Sequence, residues 1–433
     1  MSRQTASPRY SAQAELLGGL ARVLAAPRRQ ATEPLDGLPP GELAADLSAG
    51  VGLYVHVPFC ERLCRFCPYN RRLLESGLLG RYSAALRREI DLLAPAIRAA
   101  RPGSLYIGGG TPTVVPELIE ELASRARGLG LSSEIGVEVH PLHATPSMLA
   151  RLRRAGVTYV SVGVQSFDDS VLRYLGRSHD AREGRRGLEA ALAEGFGCVD
   201  ADLVFDVVRF GPEGVVRDAE ETFRLGVDQL SVYPMMRFGY TPVGRHKVHD
   251  ERREKAALRR IERAGRNLSG YVRSSVWTFN RDPARRYTSI TREHYVGMGP
   301  SGSSFLGRLF TVNTFDVETY ARLLDSERLP VTVRARLSRP AAMAYYLFWR
   351  FYEGRADRGR FASLFGRRLE RAFPGLFGLM RLLGLLARQG DAYLLTERGF
   401  EMFHTVERWV TYRFIEPLWA ACRASPVPGP LRL

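Results

Sequence analysis

From residue 51 to about 235, short apolar runs alternate with stretches whose apolar residues recur at helical spacing. The runs Gly52–Val57, Ser104–Ile107, Ile135–Val139, Thr158–Val164, Asp202–Val208 and Gln229–Tyr233 have the length and composition of strands. Between them, Gly80–Ala100, Pro116–Gly128, Pro146–Ala155, Ala181–Gly195 and Pro212–Leu225 read as helices, with Leu118, Ile119, Leu122 and Ala126 forming one stripe. Strands separated by helices require parallel crossovers. The pattern therefore predicts an α/β fold, an incomplete (βα)6 TIM-like barrel with its site at the carboxyl ends of the strands.

Four segments follow from this pattern. Residues 1–50 form a polar, Pro- and Arg-containing extension with one amphipathic helix at Ala12–Ala25; residues 51–235 form the barrel core. Residues 236–340 are an Arg- and Gly-rich connecting extension of the barrel, and residues 341–433 a helical, aromatic domain over the substrate. In that last domain, Leu382–Leu386 and Gly390–Gly399 read as helix, short hairpin, helix, a winged-helix-like order. The first 14 residues lack acid and superficially resemble a transit peptide; the expectation is a loosely ordered extension or a helix packed on the barrel.

Composition narrows the function. At 433 residues, 45% hydrophobic and 25% charged, the chain is a multi-domain globular protein. Five cysteines, three of them clustered, point to a reducing, cytoplasmic setting rather than a disulfide scaffold. No apolar stretch is long enough to span a membrane. The net charge of +16 suits an anionic partner, but no nucleic-acid-binding motif accompanies it, so no nucleic acid is expected.

The chemistry is carried by Cys60, Cys64 and Cys67, a C-x3-C-x2-C loop directly after the first strand. Three thiolates can hold three irons of a cubane cluster and leave the fourth iron open. A structural zinc site would need a fourth ligand and usually a second Cys pair, and Cys198 and Cys422 are isolated. Gly108-Gly-Gly-Thr-Pro-Thr113 after the second strand can bring backbone amides close to a ligand. Glu138, Gln165 and Asp202, at or near the ends of later strands, complete a polar ring.

With these motifs the chain resembles the radical S-adenosylmethionine (SAM) superfamily, and within it the oxygen-independent coproporphyrinogen III oxidase family, over about residues 51–400. Further markers are Val160–Phe167, Leu175-Gly-Arg-Ser-His179, Gly297-Met-Gly-Pro-Ser-Gly-Ser303 and Leu394–Gly399. The resemblance implies a radical SAM barrel with a [4Fe–4S] cluster on Cys60, Cys64 and Cys67, and a SAM molecule on the open iron. Cleavage of that SAM yields a 5′-deoxyadenosyl radical that abstracts hydrogen. It also implies a second SAM molecule. Tyr54, Gly109 and Glu138 match contacts to the first; Phe66, Gly110, Thr111, Gln165, Arg177 and Asp202 match contacts to the second. An electron donor such as flavodoxin or ferredoxin is implied as partner.

Departures from the family pattern select a branch. Cys67-Pro-Tyr-Asn70 stands where porphyrinogen-decarboxylating members have Cys-Gly-Cys-Asn, and Asp202-Leu-Val-Phe-Asp-Val-Val208 where they have Asp-Leu-Ile-Tyr-Gly-Leu-Pro. Thr291–Val296 lacks the His-Asn-x-x-Tyr-Trp signature of the haem-trafficking branch. The expectation is therefore the third branch, C-methyltransferases related to menaquinone methylation. These use the second SAM to methylate an sp2 carbon of an aromatic or quinone-like, lipophilic small-molecule substrate. Porphyrinogen decarboxylation and non-catalytic haem trafficking are the alternatives. Tyr69 and His140 are the candidate proton-transfer residues. The Trp- and Phe-rich basic helix at Phe400–Arg423 could lie on a membrane surface, or simply close the last domain. Tyr345–Tyr352 reads as core rather than as a ligand-binding face.

Overall fold

The computed structural model describes residues 31–47, 50–207, 210–244, 250–282 and 293–431. The helix expected at Ala12–Ala25, the end of the fifth expected strand at Val208, and Thr291 and Arg292 lie outside these residues.

Six strands, Gly52–Val57, Ser104–Gly109, Glu134–Val139, Tyr159–Gln165, Cys198–Phe205 and Gln229–Pro234, pair in parallel in sequential order. Helices Ser76–Ala100, Pro116–Gly128, Pro146–Arg154, Ala181–Glu194 and Pro212–Leu225 make the crossovers. This is the expected incomplete barrel. The strands are nearly continuous apolar runs because the sheet is covered by helices outside and filled inside, as parallel sheets require. Val55, Ile107, Val137, Val162 and Val232 are all buried.

The barrel does not stop at six strands. Tyr295–Met298 adds in parallel to the first strand, and Ser303–Leu306, Leu309–Asn313 and Val331–Arg336 extend that edge antiparallel. Thr278–Asn280 pairs antiparallel with the sixth strand at the other edge. A buried carboxylate, Glu89 on the first helix, fastens the first of these edges. It accepts from Gly299 N at 2.8 Å, Asn313 Nδ2 at 2.8 Å and Tyr320 Oη at 2.5 Å.

The last domain is helix Arg339–Tyr352, a small sheet of Arg355–Asp357, Ala392–Leu395 and Leu386–Gln389, and helix Glu397–Val410, matching the expected winged-helix-like order. That helix passes through a π-turn, Thr411–Ile415, into Glu416–Ala424. Its apolar residues face inward: Phe400, Phe403 and Leu418 are buried. Beyond it the chain returns to the barrel edge, where Thr32 N donates to Leu431 O and Leu431 N to Thr32 Oγ1, both at 2.8 Å. Among the described residues no helix is long and apolar enough to cross a membrane.

Candidate active site

The carboxyl ends of the strands open into one cavity of about 660 Å³ beneath the last domain. Cys60, Cys64 and Cys67 line it, and so does every other residue singled out from the sequence: Tyr54, Phe66, Tyr69, Gly109, Gly110, Thr111, Glu138, His140, Gln165, Arg177 and Asp202.

The cysteine loop is held at both ends. His56 Nε2 donates to Asn70 O at 2.7 Å, which leaves its Nδ1 to accept from Tyr54 Oη at 2.9 Å. Burial lowers the His56 pKa to about 4, so the ring stays neutral in this role. On the facing strand, Gly110 allows the close approach. A Cβ there would lie 2.6 Å from Phe59 O and 2.9 Å from Cys60 Sγ. Gly109, at φ +121°, turns its N–H onto Glu138 Oε2 at 2.9 Å, and Tyr106 Oη donates to Glu138 Oε1 at 2.8 Å.

The donor set fits an iron–sulfur cluster. No group of His, Cys, Asp or Glu among the described residues converges tightly enough for a single metal ion, yet three sulfurs share one wall. Burial pushes the Cys60 thiol up to about 11, with Cys67 and Cys64 adding to the shift, and burial raises Cys67. Metal binding must therefore displace protons. Arg177 Nη1 lies 3.4 Å from Cys64 Sγ and Nη2 donates to Gly163 O at 2.7 Å, while its buried Nε has no partner among the described residues. A guanidinium with a spare donor at this wall suits an anionic group of a bound ligand.

On the barrel floor, Asp202 accepts from Ser161 Oγ at 2.5 Å. Asp200, two residues earlier and so on the same strand face, accepts from Gln229 Nε2 at 2.7 Å and Ser231 Oγ at 2.8 Å. Burial holds Asp200 near 7; burial and then Asp200 raise Asp202 well above the usual range. At most one of the two carries charge at neutral pH.

The two proton-transfer candidates differ. His140 Nδ1 accepts from Leu142 N at 3.3 Å, so its proton sits on Nε2, 3.3 Å from Ser178 Oγ. Burial, then Arg177, His179 and His143, lower its pKa to about 2. It is a poor proton acceptor. Tyr69 stands in the cavity against Trp419, ring centroids 5.7 Å apart, and burial and then Glu138 keep its phenol protonated.

Phe310, Phe315, Tyr345, Phe348, Trp349 and Tyr352 add an aromatic surface to the same lining, and Phe315 sits beside the cysteine loop, its backbone oxygen accepting from Asn70 Nδ2 at 2.9 Å. The expectation that Tyr345–Tyr352 is core holds for Tyr346, Leu347, Phe348, Phe351 and Tyr352, all buried, while Tyr345, Phe348, Trp349 and Tyr352 also line the cavity. Tyr345, Phe348, Trp349 and Tyr352 share a helical stripe at i, i+3, i+4 and i+7, the signal that marks a cavity-facing side. Asp200 gave no such signal in the sequence.

Barrel, glycine turn and cysteine loop together define a radical SAM protein, and a family model described as the radical SAM superfamily matches residues 54–224. Over 322 residues the chain is 30% identical to an oxygen-independent coproporphyrinogen III oxidase of Bradyrhizobium diazoefficiens, covering 66% of this chain and 69% of that protein. It is 26% identical over 365 residues to the heme chaperone HemW of Bacillus subtilis, covering 80% of this chain and 95% of that protein. The solved coproporphyrinogen III oxidase (HemN) from Escherichia coli shares the fold, with a TM-score of 0.71 at 24% identity over 84% of this chain and 91% of that one. The chain belongs to the radical SAM superfamily and, within it, to the family of oxygen-independent coproporphyrinogen III oxidases and their haem-chaperone relatives. None of these relatives is a methyltransferase, so the expected methylating branch has no support from them.

Proposed function

We propose that this protein is a radical SAM enzyme that removes hydrogen from an unsaturated small molecule held between the barrel mouth and the last domain. The observation that carries the reading is the shared cavity, whose lining holds both the three cysteines and an aromatic surface. When bound, the cluster and SAM supply the 5′-deoxyadenosyl radical. Gly109, Glu138 and Tyr54 suit the amino-acid end of SAM, and Arg177 suits a carboxylate. Asp202 and Gln165, which line the same cavity, suit the polar groups of a second SAM. The aromatic wall excludes water from the reacting carbon.

The relatives support a porphyrinogen as substrate, oxidised with loss of carboxyl groups. A second reading, C-methylation, is favoured by one feature. Among the described residues, the arginines lining the cavity are Arg62, Arg71 and Arg177; the aromatic wall has no Arg or Lys to pair with the propionates of a porphyrinogen. Anaerobic reconstitution with SAM and dithionite separates the two. Coproporphyrinogen III should yield deoxyadenosine, methionine and carbon dioxide under the first reading. Release of S-adenosylhomocysteine with a quinone-containing lipid extract, and no turnover of coproporphyrinogen, would give the second. Stoichiometric haem uptake with no deoxyadenosine from either would sink both.

A further inference from the structure

Glu407 is a carboxylic acid that nothing in the barrel chemistry uses. It is 6% exposed, it lines the cavity, and it comes from the last domain. Thr411 Oγ1 donates to its Oε1 at 3.0 Å, and Oε2 has no partner among the described residues. The nearby cation does not pair with it: Arg408 Nη1 bonds Glu254 Oε2 at 2.8 Å. The other carboxylate that lines the cavity from this lobe, Glu353, is neutralised by Arg350 at 2.6 Å. Immediately after Glu407 the helix widens into the π-turn Thr411–Ile415, and Val410, Thr411, Phe414 and Ile415 all reach the cavity. Such π-turns interrupt helices most often at functional sites.

A buried acid without a cation is held protonated, here with its pKa raised to about 8 by burial. Because Oε1 already accepts from Thr411, the proton belongs on Oε2, where it is a hydrogen-bond donor. Phe348, Trp349 and Tyr352 line the same cavity with apolar ring surface. Taking this cavity as the substrate site and the quinone-like substrate of the second reading as its occupant, we propose that Glu407 anchors the substrate's polar edge. A flat, uncharged ring lies on Phe348, Trp349 and Tyr352, and a carbonyl oxygen on its rim accepts a hydrogen bond from Glu407 Oε2. A ring lacking that oxygen would leave a buried donor unsatisfied, which is where the selectivity comes from.

The test is binding, with no turnover needed. The reconstituted protein is titrated anaerobically at pH 7 with 1-tetralone, a fused-ring ketone, and with tetralin, its ketone-free counterpart. The wild type should prefer the ketone about tenfold. Glu407→Leu should bind both alike while still binding tetralin, and Glu407→Gln, which keeps an N–H donor, should retain most of the preference. Should Glu407→Leu fail to fold, Thr411→Val provides the comparison, because it releases Oε1 and should reduce the preference. An unchanged ketone preference in Glu407→Leu (or in Thr411→Val, should that variant stand in) overturns the proposal. So does tighter binding of protonated 1-aminotetralin than of the ketone, which would make Glu407 a cation site. A protein that makes no deoxyadenosine but keeps the ketone preference would sink the radical reading and leave this one standing.

Discussion

Gly110 sets how near the cysteine loop comes to the second strand. Gly110→Ala would drive a methyl into Phe59 O and Cys60 Sγ, and backbone at 2.6 Å cannot give way cheaply. The variant should fold, with a circular dichroism spectrum like the wild type, and retain less than half the iron after reconstitution. Cys60→Ser, Cys64→Ser and Cys67→Ser should each lose the cluster's visible absorption altogether. A variant that keeps full iron content would remove that cysteine from the ligand set. The same residues show what a sequence can reveal at this scale. The C-x3-C-x2-C spacing, the glycine run and Glu138 carry their chemistry in local order. Asp200 and Glu407 do not, because their character comes from burial among residues distant in sequence.

At the scale of elements, periodicity locates the first strand and the helices Pro116–Gly128 and Pro212–Leu225 with the ends found. These segments have sharp punctuation: Pro at each helix start, and Gly226 in the left-handed conformation closing the second helix. The fifth strand runs Cys198–Phe205 instead of Asp202–Val208, because two acids interrupt its apolar run yet face the barrel interior. The helix Asp169–Leu175 was not foreseen; at 7 residues it is too short for its period to stand out. Of the aromatic surface, the stripe Tyr345, Phe348, Trp349 and Tyr352 stands in the sequence at helical spacing, whereas its meeting with Phe310 and Phe315 exists only in the folded chain.

One contact between elements has a measurable weight. His404, fully buried on helix Glu397–Val410, accepts from Trp277 Nε1 at 3.0 Å, so its Nε2 donates to Glu254 Oε2 at 2.7 Å. Trp277 lines the cavity. His404→Leu leaves a buried carboxylate and an indole N–H without this partner and should cost about 3 kcal/mol in denaturant unfolding.

For the whole molecule, buried ionisable groups fix how stability responds to pH. The histidines His56, His140 and His179 have lowered pKa values in the folded state, so their stabilising effect grows as pH rises through about 6.5 and is nearly complete by about 7.5. Glu89, Asp200 and Glu407 are raised, to about 7, 7 and 8, mainly by burial. The folded state therefore holds protons that the unfolded state has released, and stability falls as pH climbs through these values. Above about 7.5 the acids dominate. Thermal denaturation should show Tm declining from about pH 7.5 to 8.5. A Tm that rises over that window would contradict the burial described for these acids.

The net charge of +16 also acts at this scale. Reduction by an acidic protein carrier, such as flavodoxin, should slow several-fold between about 0.05 and 0.5 M salt, whereas reduction by dithionite should change far less. Equal salt responses would rule out electrostatic steering of the carrier.

The hydrogen bonds between Thr32 and Leu431 bring two distant stretches of chain side by side. A short linker joining them would let the polypeptide be circularly permuted, with new ends cut into the exposed turn at Gly390. The lid helices over the cavity would then be synthesised ahead of the cysteine loop, and the same pocket should still assemble, because what holds its two halves together is contact rather than the order in which they are joined.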